Sequence, residues 1–246
     1  MKVIGWKVGL LLVLFNLIIP KTKAQEMATL TKQEKSLAGI SATTATGKLD
    51  LLKIQLIEGL DNGLTVNEIK ETLTQLYAYC GFPRSLNAIN TFSAVLADRK
   101  AKNMIDPEGE KIIRNTVEDK YEQGRKTLEQ LTKTPQARPA PGFGEFAPRI
   151  DAFLKEHLFA DIFASKVLDF RKRELVTISA LAAMEGVESQ LKSHISMGRN
   201  TGITDAELKE VSGIIRKTVS TTQANTLLKS IDQPMLPTDG WSVRVS

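Results

Sequence analysis

The chain repeats itself. Residues 40–73 read ISATTATGKLDLLKIQLIEGLDNGLTVNEIKETL, and residues 178–211 read ISALAAMEGVESQLKSHISMGRNTGITDAELKEV. Ile40 and Ser41 fall on Ile178 and Ser179. After a slip of one residue, Gly59, Gly63, Thr65, Glu68 and Glu71 fall on Gly198, Gly202, Thr204, Glu207 and Glu210. Such a period marks one supersecondary unit used twice, which fixes the architecture before any motif is weighed. Each copy reads as a helix, a second helix ended by an Asn/Gly signal, and a third helix opened by a capping box. The boxes are Thr65 with Glu68 and Thr204 with Glu207, where hydroxyl and carboxylate satisfy the free amides of the first turn. Capping alone accounts for these two glutamates.

Apolar residues recur at helical spacing in LLKIQLIEGL, EIKETLTQLYAY, IDAFLKEHLFADIF and ELVTISALAAM, and strand signals are nearly absent, so the fold class is all-α. The stretch TKTPQARPAPGFGEFAP, 132–148, is the Pro/Gly-rich break of a linker or long loop. At the N-terminus, Lys2 and Lys7 precede an apolar run from Val8 to Ile19 and the small-residue site Thr22-Lys23-Ala24, the layout of a signal peptide over 1–24. The run is shorter than the roughly 20 residues of a spanning helix. Removal takes Lys2, Lys7, Lys21 and Lys23 and no acid, so 33 basic residues against 28 acidic become 29 against 28. A chain so nearly neutral carries no electrostatic footprint for nucleic acid. The expectation is a periplasmic or secreted protein that leaves the membrane after processing. Its single cysteine, Cys80, precludes an internal disulfide.

The second copy with its lead-in, FADIFASKVLDFRKRELVTISALAAMEGVESQLKSHISMGRNTGITDAELKEV, resembles the carboxymuconolactone decarboxylase family of the alkylhydroperoxidase D-like superfamily. The resemblance rests on Arg173-Glu174-Leu175, the TISALAA helix, QLKSH ending in His194, and NTGITDAEL. In the first copy, NGLTVNEIKETLTQLYAYCGFPRSLNAI resembles the family's Gly-Leu-Thr opening, its Glu-rich helix and its Tyr-x-Gly-x-Pro junction. It runs from about Leu30 to Ile231 and implies two tandem units, 25–105 and 106–232, before a C-terminal arm, 233–246. The copies depart from the family pattern in complementary ways. Gln55 stands where the second copy has His194, and Thr218-Val219-Ser220-Thr221-Thr222 stands where the first has Tyr79-Cys80-Gly81-Phe82-Pro83. One composite site between the copies and a chain with dead sites both fit this pattern.

The sequence offers no metal-ligand cluster, no phosphate-cradling glycine loop and no lysine in a Schiff-base context, so the expected chemistry is acid–base work without cofactor or metal. Its histidines are His157 and His194. The resemblance implies His194 and Glu174 as the catalytic pair, a carboxylate orienting an imidazole that delivers a proton. Loss of carbon dioxide also needs a cation near the departing carboxylate, and Arg173 or Arg171 can be that cation. Arg171 and Lys172 better suit an exposed helix start with local ion pairs. Glu71, Gln75 and Tyr79 fall on one helix face, so Glu71 and Tyr79 can line the same pocket, and with Arg173 they are the expected substrate-binding residues; core packing suits Tyr79 at least as well. His157 reads as a surface helix residue.

The superfamily's peroxidases use a Cys-x-x-Cys pair one turn before their histidine, and here that stretch is Val187-Glu188-Ser189-Gln190. Cys80 reads instead as a buried structural thiol at a helix junction, where Gly81 ends one helix and Pro83 opens the next. The expectation is therefore a decarboxylase acting on a small carboxylated lactone or keto acid. A catalytically degenerate binding or structural oligomer is the second reading, and an alkylhydroperoxidase-type antioxidant the third. Export sets the chain apart from the family's namesake role in aromatic-acid breakdown, which is cytoplasmic. Because the family's single-unit members resemble trimers of dimers, three two-unit chains are expected to form the homo-oligomer. Trp241, Val243 and Val245 alternate in the arm as a strand on a neighbour would.

Overall fold

The computed structural model describes residues 29–237. Helices α1 (Lys32–Thr46), α2 (Leu49–Asp61) and α3 (Val66–Ala101) make the first copy. An intervening segment holds α4 (Lys120–Thr132), the short α5 (Phe143–Phe146) and α6 (Pro148–Ala152), and a π-helix, Phe153–Ile162. The second copy is α7 (Phe170–Ala182), α8 (Glu188–Asn200), α9 (Asp205–Thr218) and α10 (Thr221–Ser230). Among the described residues there is no strand, as the sequence implied. The signal-peptide segment 1–24 and the arm residues Trp241, Val243 and Val245 lie outside the described residues.

Corresponding residues do corresponding jobs. Both expected capping boxes form, Thr65 with Glu68 and Thr204 with Glu207, and Thr31 with Glu34 makes a third at the start of α1. Ser41 and Ser179 each return a hydroxyl to the carbonyl four residues back, 2.7 Å away in both copies. Glycine recurs where the second helix of each copy crosses the first. A Cβ on Gly59 would sit 3.1 Å from Ile40 Cδ1, and one on Gly198 would sit 2.8 Å from Ile178 Cδ1. An alanine at Gly198 would require Ile178 to shift, and one at Gly59 would crowd Ile40.

α1 and α7 are buried around most of their circumference and pack on each other, and both are rich in small buried residues, among them Ala38, Ala42, Ala180 and Ala182. One apolar core spans both copies, with Leu37, Ile40, Leu52 and Leu73 from the first and Leu175, Ile178, Leu191 and Val211 from the second. The long α3 bends at Gly81, whose backbone (φ +82°, ψ 159°) is open to glycine and strained for other residues. At the equivalent place in the second copy, Ser220 caps a separate helix, α10. The bend sends the second half of α3 onto its own first half, where Ser85 Oγ donates to Leu73 O at 2.7 Å.

The intervening segment builds a second apolar cluster from Leu131, Leu158, Phe159, Ile162, Phe163 and Met197, and Tyr79 reaches into it. A buried polar clasp joins α4 to the π-helix. Lys155 Nζ donates to Asp151 Oδ1 at 2.8 Å, to the Tyr121 hydroxyl at 2.9 Å and to Ala137 O at 2.9 Å, and Tyr121 also bonds Asp151. Lys155 and Asp151 have no exposed side-chain surface, which is tolerable because each charge is paired and hydrogen-bonded. Gly124 lets the two helices touch backbone to backbone: a Cβ there would lie 1.8 Å from Lys155 O.

Candidate active site

Three elements converge where the first copy's third helix crosses the second copy's first helix. α3 delivers Glu71, Gln75 and Tyr79 from one face, as their spacing implied. α7 delivers Arg173, Glu174 and Thr177, and α8 delivers His194. All five residues expected at the site therefore meet at one place, and they come from both copies.

Glu174 is fully buried and accepts the Nδ1–H of His194 at 2.8 Å. A carboxylate on Nδ1 fixes the tautomer and turns Nε2 outward as the working nitrogen. The Tyr79 ring meets the imidazole edge to face, with centroids 5.4 Å apart. Burial, and then the nearby Glu174 charge, push the Tyr79 phenol above its ordinary range, so it stays protonated and keeps an O–H to donate.

Arg173, like Glu174, is fully enclosed. Its guanidinium donates to Glu71 Oε2 and Gln75 Oε1, both at 2.9 Å, and to Ser165 O at 3.0 Å, and its charged carbon lies 5.4 Å from the centre of the Phe163 ring. Burial pulls the Arg173 pKa down from its ordinary value, and the Glu71 carboxylate works against that pull. Arg173 and Glu71 thus neutralise each other. Of the three guanidinium nitrogens only Nε makes no hydrogen bond, so Arg173 has less to offer a substrate than the sequence suggested. Gln75 closes the arrangement by donating to Arg173 O and to Thr177 Oγ1, both at 2.9 Å.

Four buried side-chain atoms in or beside this cluster find no partner among the described residues: Tyr79 Oη, Arg173 Nε, Glu174 Oε1 and Ser165 Oγ. Each such atom costs about 1–3 kcal/mol. Buried polar groups are nearly always satisfied by protein or by water, so these atoms mark the cluster as a place where water or a polar ligand would find partners. Among the described residues no three His, Cys, Asp or Glu side chains are grouped as a metal ion would require. A cavity of about 530 Å³ lies elsewhere, between Ala45 and Thr46 of one copy and Ala183 and Met184 of the other. Its cations, Lys48 and Arg84, are bonded to main-chain carbonyls, and no residue of the cluster lines it.

Three neighbouring residues behave differently from their local reading. Arg171 makes no local ion pair: it reaches Glu34 of the first copy at 2.9 Å, Glu207 at 2.7 Å and Gly202 O at 2.8 Å. Lys172 crosses to Glu68 at 2.6 Å. Cys80 is half-buried instead of buried; its thiol donates to Leu76 O at 3.2 Å, and burial raises its pKa. His157 is the exposed helix residue expected, 3.4 Å from Asp161.

Gln75 and Thr177 are the residues that sequence reasoning undervalued. Their signal lay in the repeat: by its register, polar Gln75 and Thr177 correspond to Ile214 and Gly39 of the other copy. The family model described as "Carboxymuconolactone decarboxylase family" matches residues 22–94 and 148–233, together more than half of the chain. No curated protein matches the sequence.

Proposed function

Because the chain belongs to the carboxymuconolactone decarboxylase family, we propose that it is a cofactor-independent carboxy-lyase using His194 as its proton donor on a small carboxylated lactone or β-keto acid. The observation that carries this reading is the buried 2.8 Å bond between His194 Nδ1 and Glu174 Oε2, set among unpartnered polar atoms. The carboxylate stabilises the imidazolium, so that Nε2–H can be given up in the reaction. When the substrate's C–C bond breaks, carbon dioxide leaves and the electron pair remains as an enolate-like carbanion. The carbanion carbon takes the Nε2 proton, and the neutral imidazole recovers a proton from water. Tyr79 Oη–H and Arg173 Nε–H are the donors that steady the enolate oxygen.

A second reading, a binding or structural protein without turnover, draws support from the Arg173–Glu71 pair, which leaves little cationic charge for a departing carboxylate. The peroxidase reading has less behind it, since the turn before His194 holds no sulfur and Cys80 bonds a helix carbonyl elsewhere. Export of a mature chain beginning at Gln25 and assembly into a trimer belong to this proposal. The deciding experiment measures carbon dioxide release by purified protein from a panel of carboxylated lactones and β-keto acids. Release that depends on His194 supports the lyase. No release from any member, with folded protein, rejects it in favour of the binding protein.

A further inference from the structure

We propose that the segment between the two family-matched regions, carried by α4 and clasped to the π-helix, is a wall that decides what reaches His194. It favours compact monoanions with an apolar body. The ligand class rests on the acid–base reading of the site; the wall does not.

Residues 95–147 lie outside both matched regions, and α4 comes from this unmatched stretch. Leu131, at the end of α4, is buried against a cluster that contains Met197, one turn beyond His194 on α8, and into which Tyr79 reaches. Asn200 Nδ2 donates to Leu131 O at 2.7 Å and so ties the end of α8 to the end of α4. On the other side the π-helix lays Phe159 against Phe163, with centroids 5.0 Å apart, and Phe163 against the Arg173 guanidinium. π-Helical turns are concentrated at functional sites. The Lys155–Asp151–Tyr121 clasp and the Gly124 contact make α4 and the π-helix one body.

Beneath this cover the His194 side chain keeps 9% of its surface, whereas His157 keeps 50%. The two unpartnered donors, Tyr79 Oη–H and Arg173 Nε–H, ask for an oxygen acceptor, and the side chains packed around them are apolar: Phe163 lies against Arg173, and Tyr79 packs on the cluster that holds Leu131 and Met197. A ligand that satisfies both has an anionic or enolate oxygen at one end and hydrocarbon at the other. A highly polar acid would satisfy the donors and leave its remaining polar groups facing hydrocarbon.

The two histidines allow an internally controlled test that needs no turnover. Diethylpyrocarbonate labels accessible imidazoles, and peptide mass spectrometry reports each histidine separately. In the full-length protein His194 is expected to react about tenfold or more slowly than His157, as local opening must precede its modification. Asn200→Ala, which removes one exposed tie, and Leu131→Ala, which hollows the wall, should each raise the His194 rate about threefold or more and leave His157 unchanged. Benzoate should slow His194 labelling at concentrations where acetate does not. Unchanged His194 labelling in both folded variants would overturn the wall. Equal protection by acetate and benzoate, or protection by neither, would overturn the ligand class. A failed carbon dioxide assay would reject the lyase and leave both labelling results readable.

Discussion

The molecule makes the same crossing twice, and the two crossings have aged differently. In one, α3 of the first copy brings Glu71 to Arg173 of the second; in the other, α9 of the second copy brings Glu210 to Lys35 of the first, at 2.7 Å. The geometry of charge has been kept on both sides. What surrounds it has not. Around Arg173 stand Gln75, Tyr79, Glu174, Thr177 and His194, whereas the register puts Ile214, Thr218, Ser36, Gly39 and Gln55 around Lys35. Gln55 does not imitate the histidine: it bonds its own helix at Glu58, 2.9 Å away, and lies on Gly39, where a Cβ would sit 1.9 Å from Gln55 Oε1. Lys35 and Glu210 keep 46% and 27% of their side-chain surface, against 0% and 7% for Arg173 and Glu71. One crossing is a buried polar cluster with unpartnered atoms, and the other is a solvent-exposed strut. An ion pair is therefore a poor marker of function on its own, and the unpartnered atoms beside it are a better one.

The largest effect that would test this contrast is on stability. Breaking the buried pair by Arg173→Met strands a buried carboxylate and is expected to cost about 3–5 kcal/mol. Lys35→Met at the exposed crossing should cost about 0–1 kcal/mol. Urea unfolding of both variants measures the difference, and equal losses would show that the crossings are energetically alike.

Next comes activity. His194→Gln gives the working half the residue of the other half and should lower any carbon dioxide release about a hundredfold or more. His157→Ala should leave it nearly intact. Progress curves with the same substrate decide this, and undiminished turnover in His194→Gln would remove the proposed chemistry.

Arg171 links the two crossings, and its contribution should follow pH. Burial raises the Glu34 pKa, but bonds from Thr31 and Arg171 more than reverse this and hold it below its ordinary value of 4.5. A depressed folded-state value means stabilisation that is complete above the unfolded value and is lost as pH falls through the folded one. Arg171→Gln should thus cost about 1–2 kcal/mol near neutrality, with the gap to the parent closing below about pH 4. Denaturation midpoints across that range test the sign. The smallest expected effect is at Cys80. A serine there can still donate to Leu76 O, so Cys80→Ser should shift stability by less than about 0.5 kcal/mol and leave activity unchanged. Peroxide turnover that vanishes in this variant would reinstate the thiol.

How much of this could be read in the sequence depended on the range of the interaction. The capping boxes, the bend at Gly81 and the shared face of Glu71, Gln75 and Tyr79 are local, set by spacings of three and four residues, and were legible. The meeting of His194 with Glu174 was legible through the family resemblance. Arg171 was misread because its partners lie 137 and 36 residues away, and nothing in RKRE distinguishes an arginine that stays at home from one that crosses the molecule. Lys155 is a similar case. Its i−4 partner Asp151 was visible, but its complete burial depends on Tyr121 and the Ala137 carbonyl arriving from α4 and the loop beyond it.

The position of Arg171 between Glu34 and Glu207 also governs which halves can recognise each other. Lys172 meets Glu68 across the interface, and its counterpart in the first copy is an acid, Glu34. Were two first copies to associate, each Glu34 would stand against a Glu68, and the assembly would begin with two repulsions. Two second copies would instead set Lys172 against Glu207 and Arg173 against Glu210, both attractive. One inverted charge thus makes the first half a poor partner for itself, and the arginine that relieves the inversion is carried by the second half.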